Sequence, residues 1–240
     1  MDRIFLEGGC VVGGVATIDG VERRHLADSL RVRAGDRFLA TDGEGRELLL
    51  EATRVERRVL VAAVVHEERR APRAGNRVTI AVAPPKGGRM EIAVEKVVEC
   101  GVGRVVPLVT SRSIVKGRDD SERLERWRRV ARSATAQSGR VHLPEITRPM
   151  TLAQVLAEYG GVALLAHLDT ITVPLEAALP RGGESVAILV GPEGGFTDDE
   201  VEEARRLGAT AVSLGATRLR SETAAIVAAA RAVSALENDT

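Results

Sequence analysis

The residues best suited to chemistry stand in Leu189-Val190-Gly191-Pro192-Glu193-Gly194-Gly195-Phe196, where three glycines surround a rigid proline. Such a loop exposes backbone N–H and C=O groups, which can hydrogen-bond the edge of a purine without side-chain bulk. It matches neither G-x-G-x-x-G nor a loop ending in Gly-Lys-Ser/Thr, so cradling of nucleotide phosphates is disfavoured. A lone glycine-rich turn is more often an ordinary strand-to-helix connection, but this one has company. Val212-Ser213-Leu214-Gly215-Ala216-Thr217-Arg218-Leu219-Arg220-Ser221-Glu222-Thr223-Ala224 is a second strand-loop-helix junction, with Arg and Glu just before a helix of alanines and valines. Arg220 stands where a charge is costly to bury, and its partner is expected to be Glu222 or a phosphate. An internal pair capping the last helix competes for Glu222. A third junction is Leu164-Leu165-Ala166-His167-Leu168-Asp169, although a histidine so placed is more often structural than catalytic.

These loops need elements to hold them. Thr197 followed by Glu200 reads as a capping box, with Asp198, Asp199 and Glu200 opposing the positive helix terminus and Gly208 permitting the exit. The glycine loop therefore runs from a buried strand into a well-capped helix. From Val78 onward, apolar strands alternate with helices: strands at 78–83, 105–109, 162–166, 186–190 and 211–214, and helices at 89–100, 121–138, 151–159, 198–207 and 223–236. The strands are continuous runs rich in β-branched residues, as expected of a parallel sheet covered on both faces. Such a sheet places ligands at the carboxyl ends of its strands. The first seventy residues read differently, as strands at 37–41, 47–55 and 59–65, a turn at Asp42-Gly43-Glu44-Gly45 and a helix over 24–30, which suggests a small β-barrel. The polar run 67–73 ends at proline and reads as a linker. Two domains are expected, residues 1–72 and 73–240.

Composition narrows the function. Hydrophobic residues are 44% and charged residues 28%, the balance of a globular protein. Aromatics are 2%, so base stacking on an aromatic sheet is disfavoured. Cys10 and Cys100 make no disulfide framework and no metal site. Apolar stretches fall short of a membrane span and no basic-then-apolar leader is present, so a cytoplasmic location is expected. Net charge is zero but unevenly spread: residues 73–148 hold 16 basic against 8 acidic groups, and residues 149–240 hold 6 against 13. A basic stripe in a neutral chain is a footprint for a polyanion, because Lys and Arg at phosphates release counterions. Arg123, Arg126, Arg128, Arg129 and Arg132 merely solvating one helix is the competing explanation.

The loops at 191–196 and 214–224, taken together, closely resemble those of the SPOUT-class RsmE family, methyltransferases of N3 of a uridine in small-subunit ribosomal RNA. The resemblance extends through Lys86-Gly87-Gly88-Arg89-Met90-Glu91, Glu95 to Val102, Pro107-Leu108, Ser111-Arg112-Ser113, Arg126-Trp127, Gln137-Ser138 with Arg140, and Pro144 with Ile146. It also reaches His25-Leu26 and Val32 with Gly35-Asp36, and so covers nearly the whole chain. Two positions depart from it: Ser111 and Ser133 stand where relatives often carry Glu, and neither is in the glycine loops.

The resemblance implies an α/β fold with an N-terminal PUA-like β-barrel that helps hold RNA, followed by a trefoil-knot methyltransferase domain with a mostly parallel sheet. The knot is an exception to the usual rule against threading. It implies S-adenosylmethionine as cofactor, bound by Ala166, His167, Val190, Gly191, Pro192, Glu193, Gly194, Gly195, Leu214, Gly215, Leu219 and Arg220. Arg112, Gln137 and Arg140 are the expected contacts to ribosomal RNA, and a homodimer is the expected assembly; no metal and no membrane is implied. Uridine N3 carries a proton at neutral pH, so Arg220 is the candidate to stabilise the developing anion. The target base has to be flipped out or single-stranded, since N3 lies on the pairing edge. Rival readings are an RNA-binding or assembly protein that keeps the fold without the activity, a methyltransferase of a different RNA, and a nucleotide-dependent Rossmann enzyme weakened by the missing fingerprint.

Overall fold

Alternation sets the first part of the chain and continuous apolar runs set the second. The computed structural model describes residues 2–113, 120–168, 172–181 and 183–238; Asp169 lies outside them. The chain divides into two units, one of residues up to Pro72 with Arg132–Leu143, the other of Arg73–Ala131 with Pro144 onward. Residues 132–143, expected with the second domain, thus group with the first.

In the first unit, β1 (Arg3–Phe5), β2 (Val11–Val12) and β3 (Val15–Ile18) precede α1 (Gly20–Arg24), and β4 (Arg37–Thr41), β5 (Arg46–Val55) and β6 (Leu60–Arg69) follow it. They form one sheet in the order β1-β4-β5-β6-β3-β2, antiparallel except for the β1–β4 pair. Leu48, Leu50 and Ala52 of β5 point inward at every second residue, onto Ile4, Ile18, Phe38 and Leu60. The helix expected at 24–30 starts earlier, as α1, and continues as a π-helical turn over His25–Ser29 that buries Leu26. The expected linker also begins later. Residues 67–69 extend β6 with a partner for Glu67 across the ladder, where Arg46 grips both of its oxygens at 2.9 Å, and Arg70 just beyond the strand meets Glu47 at 2.5 Å. At the turn, Asp42 Oδ1 accepts from the Glu44 amide at 2.8 Å. Gly43 has φ +78°, and a Cβ there would lie 2.8 Å from Leu143 Cβ, so glycine is required as much by the passing segment as by the turn.

The second unit carries β7 (Val78–Val82), α2 (Arg89–Cys100), β8 (Arg104–Val109), α3 (Asp120–Gln137, whose last residues group with the first unit), β9 (Glu145–Ile146) and β10 (Met150–Thr151). Then come α4 (Leu152–Glu158), β11 (Val162–Ala166), β12 (Val173–Pro174), α5 (Leu175–Ala178), β13 (Val186–Val190), α6 (Asp198–Arg206), β14 (Thr210–Ser213) and α7 (Ser221–Asn238). The sheet order is β10-β8-β7-β13-β11-β14-β12, with β9 beside β8, and every pairing is parallel. The fold of this unit is therefore α/β on a parallel sheet. β7 and β13 are buried at every residue, which explains their unbroken apolar runs. Ala81, Val106, Leu165, Ala187 and Leu189 pack on Leu152, Val155 and Leu156 of α4 and on Val201 and Ala204 of α6. α7 lies against α2, β7 and β13. Its buried Ala225, Ala228, Ala229 and Ala232 are small enough for close approach. Among the described residues no helix is long and apolar enough to cross a membrane.

The capping box at the start of α6 forms as expected: Thr197 Oγ1 accepts from the Glu200 amide at 3.2 Å, and Glu200 Oε2 accepts from the Thr197 amide at 2.8 Å. A second box, Thr151 with Gln154, starts α4. Glu200 does more than cap, for its other oxygen accepts from the Ser111 amide at 2.7 Å. The carboxylate is buried and ties two distant loops. Glu200→Ala is expected to lower the unfolding free energy by about 2–4 kcal/mol, since it strands two backbone donors, against about 1 kcal/mol for Thr197→Ala. Urea denaturation of the two variants checks this; equal losses would contradict it.

Candidate active site

Three junctions meet at one edge of the parallel sheet. Ala166 at the end of β11 is in register with Val190 at the end of β13 and with Val212 of β14. The chain leaves each strand at nearly the same height, so the loops beginning at 167, 191 and 214 open side by side. His167 continues the ladder for one more bond, its amide donating to the Val212 carbonyl at 3.0 Å. Ser221, the first residue of α7, donates from its hydroxyl to the Gly191 carbonyl at 2.8 Å, and the bond is buried. That contact joins the second loop to the first.

Between the loops lies a cavity of about 270 Å³. Its walls include Ala166, His167, Val190, Gly191, Pro192, Glu193, Gly194, Gly195, Leu214, Gly215 and Leu219, eleven of the twelve residues singled out from the sequence for a cofactor. Phe196, Leu168, Thr217, Arg218, Ser221 and Ala224 also line it. The mixture is characteristic of a small-molecule site: apolar walls with a few convergent polar groups. At Gly191 a Cβ would lie 3.1 Å from the buried Phe196 ring, so any larger residue there would have to push that ring by a few tenths of an ångström. At Gly215, φ is +133°, which favours glycine, and nothing stands within 4 Å of where a Cβ would project. The loops thus leave space where a side chain would otherwise stand.

Arg112 is drawn into the site from the far end of β8. Its guanidinium donates to the Gly194 carbonyl at 2.5 Å and the Phe196 carbonyl at 3.3 Å, and the Glu200–Ser111 bond fixes the adjacent backbone. On the other flank, the Lys86 amide donates to Glu193 Oε1 at 3.4 Å, and Arg89 stands 3.8 Å from both Glu193 and Glu222. Glu222 is therefore paired with Arg89 rather than with Arg220, and its side chain is almost fully buried. Among the described residues no cluster of His, Cys, Asp and Glu could hold a metal ion.

Arg220 departs from expectation. It is exposed rather than buried, and it is not among the cavity walls. Its carbonyl accepts from the Ala224 amide at 2.7 Å, so the backbone at 220 belongs to the start of α7 while the residue faces solvent. Gln137 is exposed and Arg140 half-buried, and both group with the first unit rather than with the cavity. Of the expected RNA contacts, only Arg112 lies on the cavity. The sequence marks Glu200 only as a helix cap and gives no signal for Ser221. A serine opening a helix is normally read as a cap, whereas this one serves a carbonyl thirty residues away.

Comparison with known proteins agrees with this geometry. A family model described as an RNA methyltransferase domain matches residues 72–233. Ribosomal RNA small subunit methyltransferase E of Mycobacterium bovis is 34% identical over 224 residues, covering 90% of this chain and 85% of that protein. The protein of the same name from Bacillus subtilis is 29% identical, covering 88% and 87%. Among solved structures, ribosomal RNA small subunit methyltransferase E from Neisseria gonorrhoeae bound to S-adenosyl methionine has a TM-score of 0.85 at 29% identity, covering 96% of each chain. A probable rRNA-methyltransferase from Porphyromonas gingivalis has a TM-score of 0.86 at 32% identity, covering 99% of each. With eleven of its loop residues gathered on one cavity and the match running over most of its length, this chain belongs to the RNA methyltransferase family that includes the ribosomal RNA small subunit methyltransferase E proteins, the RsmE family.

Proposed function

We propose that the protein methylates N3 of a uridine in 16S, small-subunit, ribosomal RNA, using S-adenosylmethionine. The observation that carries this reading is the cavity at the carboxyl ends of β11, β13 and β14, closed by the Ser221–Gly191 hydrogen bond. Its chemistry suits the cofactor. Backbone groups of the 191–195 and 214–215 loops would serve a purine edge, and Ala166, Val190, Leu214 and Leu219 would offer apolar surface to the rest of the cofactor. When bound there, S-adenosylmethionine supplies an electrophilic methyl carbon on a sulfonium. Ala166, His167, Val190 to Gly195, Leu214, Gly215 and Leu219 would hold it.

The chain's own contribution is alignment and charge. Arg112, fixed by two carbonyls of the glycine loop, holds a positive group at the cavity mouth for the RNA strand. Arg220, exposed on the loop leading into α7, reaches toward incoming RNA and stabilises the uridine as its N3 proton leaves. Gln137 and Arg140 contact RNA from the first unit, whose six-stranded, mostly antiparallel sheet we take for a PUA-like RNA-binding barrel. The two units correspond to RNA-binding and methyltransferase domains, with the 132–143 segment lent by the second to the first.

Strand order supports a trefoil knot. β14 lies beyond β11, two strands away from β13 and three from β7, yet α7 returns to pack on β7 and β13. A homodimer working in the cytoplasm completes the reading.

Mapping modified nucleosides in small-subunit ribosomal RNA from cells with and without the gene is the functional test. A single N3-methyluridine is expected to vanish with the gene; an unchanged map leaves an RNA-binding assembly factor, and a lost transfer-RNA modification leaves a different substrate. Arg220→Ala is expected to lower methyl transfer about 10²- to 10³-fold with S-adenosylmethionine affinity unchanged in calorimetry. Unchanged turnover would remove Arg220 from the mechanism.

A further inference from the structure

We infer that Arg231 is a positioning residue for the cavity, locking the Leu214–Gly215 peptide in place from behind while Glu176 anchors its guanidinium; its bearing on donor binding rests on the proposed function above. α7 presents mostly alanine to the sheet, and Arg231 is a half-buried charge in its middle. Three of its nitrogens are engaged. Nη1 donates to the Leu214 carbonyl at 3.0 Å. Nε bonds to Glu176 Oε1, and Nη2 to Oε2 at 2.5 Å. The fork-on-fork pairing fixes the plane of the guanidinium, so the remaining donor points in one direction only.

That direction matters because of what it holds. The Leu214 carbonyl and the Gly215 amide are the two polar ends of one peptide unit. Arg231 takes the carbonyl, and Ser213 Oγ accepts from the Gly215 amide at 3.2 Å. The same hydroxyl lies 3.2 Å from the Gly215 carbonyl. Gly215, at φ +133° with open space where a Cβ would be, has no side-chain packing to hold this peptide. A glycine-flanked peptide flips readily unless both ends are bound. Leu214 and Gly215 both line the cavity, so the orientation of this peptide decides what the wall offers a ligand.

A surface ion pair alone would carry little weight, since Arg231 and Glu176 keep 33% and 48% of their side-chain surface exposed. The carbonyl contact distinguishes it. Arg231 ties three segments by side-chain bonds: α5, which directly follows the β12 strand already laddered to β14, the end of β14, and α7. The Arg231 guanidinium also holds the Glu176 carboxyl below its usual range through their hydrogen bond.

The test uses full-length protein carrying Arg231→Ala, Arg231→Lys or Glu176→Gln. Hydrogen exchange on the ligand-free protein comes first. Amides at 214–219 are expected to exchange at least fivefold faster in Arg231→Ala, with the β7 and β13 amides unchanged. Unchanged exchange at 214–219 overturns the proposal whether or not the protein binds a methyl donor; faster exchange throughout the sheet overturns it too, because Arg231 then acts on global stability. Calorimetry with S-adenosylmethionine follows. Affinity is expected to fall about tenfold in Arg231→Ala and less in Arg231→Lys and Glu176→Gln, while turnover at saturating donor changes less than twofold. Equal affinity in all variants overturns the link to the donor. Wild-type protein that fails to bind the donor overturns the methyltransferase reading, and the exchange result still decides the clamp.

Discussion

A single buried hydrogen bond, from the Ser221 hydroxyl to the Gly191 carbonyl, is the constraint on which the site depends. Gly191 follows a strand buried at every residue, so the loop that begins there inherits a fixed origin. Its carbonyl, once out of the ladder, needs a donor in a place water does not reach. Ser221 supplies it, and in doing so holds the start of α7 against the glycine loop. The cavity is what remains between them. Around this contact, Arg112 and Glu200 brace the outer side of the glycine loop through backbone groups at 194, 196 and 111. Arg231 braces the inner side of the 214–215 turn. The cavity is therefore shaped chiefly by backbone, and side chains act from behind to fix that backbone.

Much of this architecture is legible in the sequence wherever the signal is local. The Thr197–Glu200 box is readable because both partners lie within one helical turn, and the strands at 162–166 and 186–190 because burial on both faces demands unbroken aliphatic runs. Strands of two to four residues, such as Val11–Val12 or Glu145–Ile146, carry too few residues to show any period. The charges of the run at 67–69 resemble solvated chain and so read as linker; the register with β5 and the cross-strand Arg46–Glu67 pair make it strand. Residues 132–143 group with the first unit through the turn at 42–45, a relation nearly a hundred residues long that no window could reveal.

The site shows the same division. Glycine loops at strand ends announce themselves, so the walls at 190–195 and 214–219 were legible. What holds them was not, since Ser221, Glu200 and Arg231 act over 30, 89 and 17 residues on backbone atoms that any residue type provides. Arg220 illustrates the other side of this. Its sequence neighbour Glu222 suggested a partner, but helix geometry turns Glu222 toward Arg89 and leaves Arg220 exposed. The basic middle of the chain resolves similarly: Arg126 and Arg128 meet Glu91 and Glu125, while Arg123 and Arg129 are exposed on α3. Among the described residues of this stretch, part of the basic surface is met by acid, and a polyanion would be positioned by the exposed remainder.

A crystal structure of the protein soaked with S-adenosylmethionine puts the central idea to its most direct trial. The account predicts electron density for the adenosyl group between Val190–Gly195 and Leu214–Leu219, with the Ser221–Gly191 contact intact beneath it. Density at any other place on the molecule, or none at saturating ligand, would contradict it.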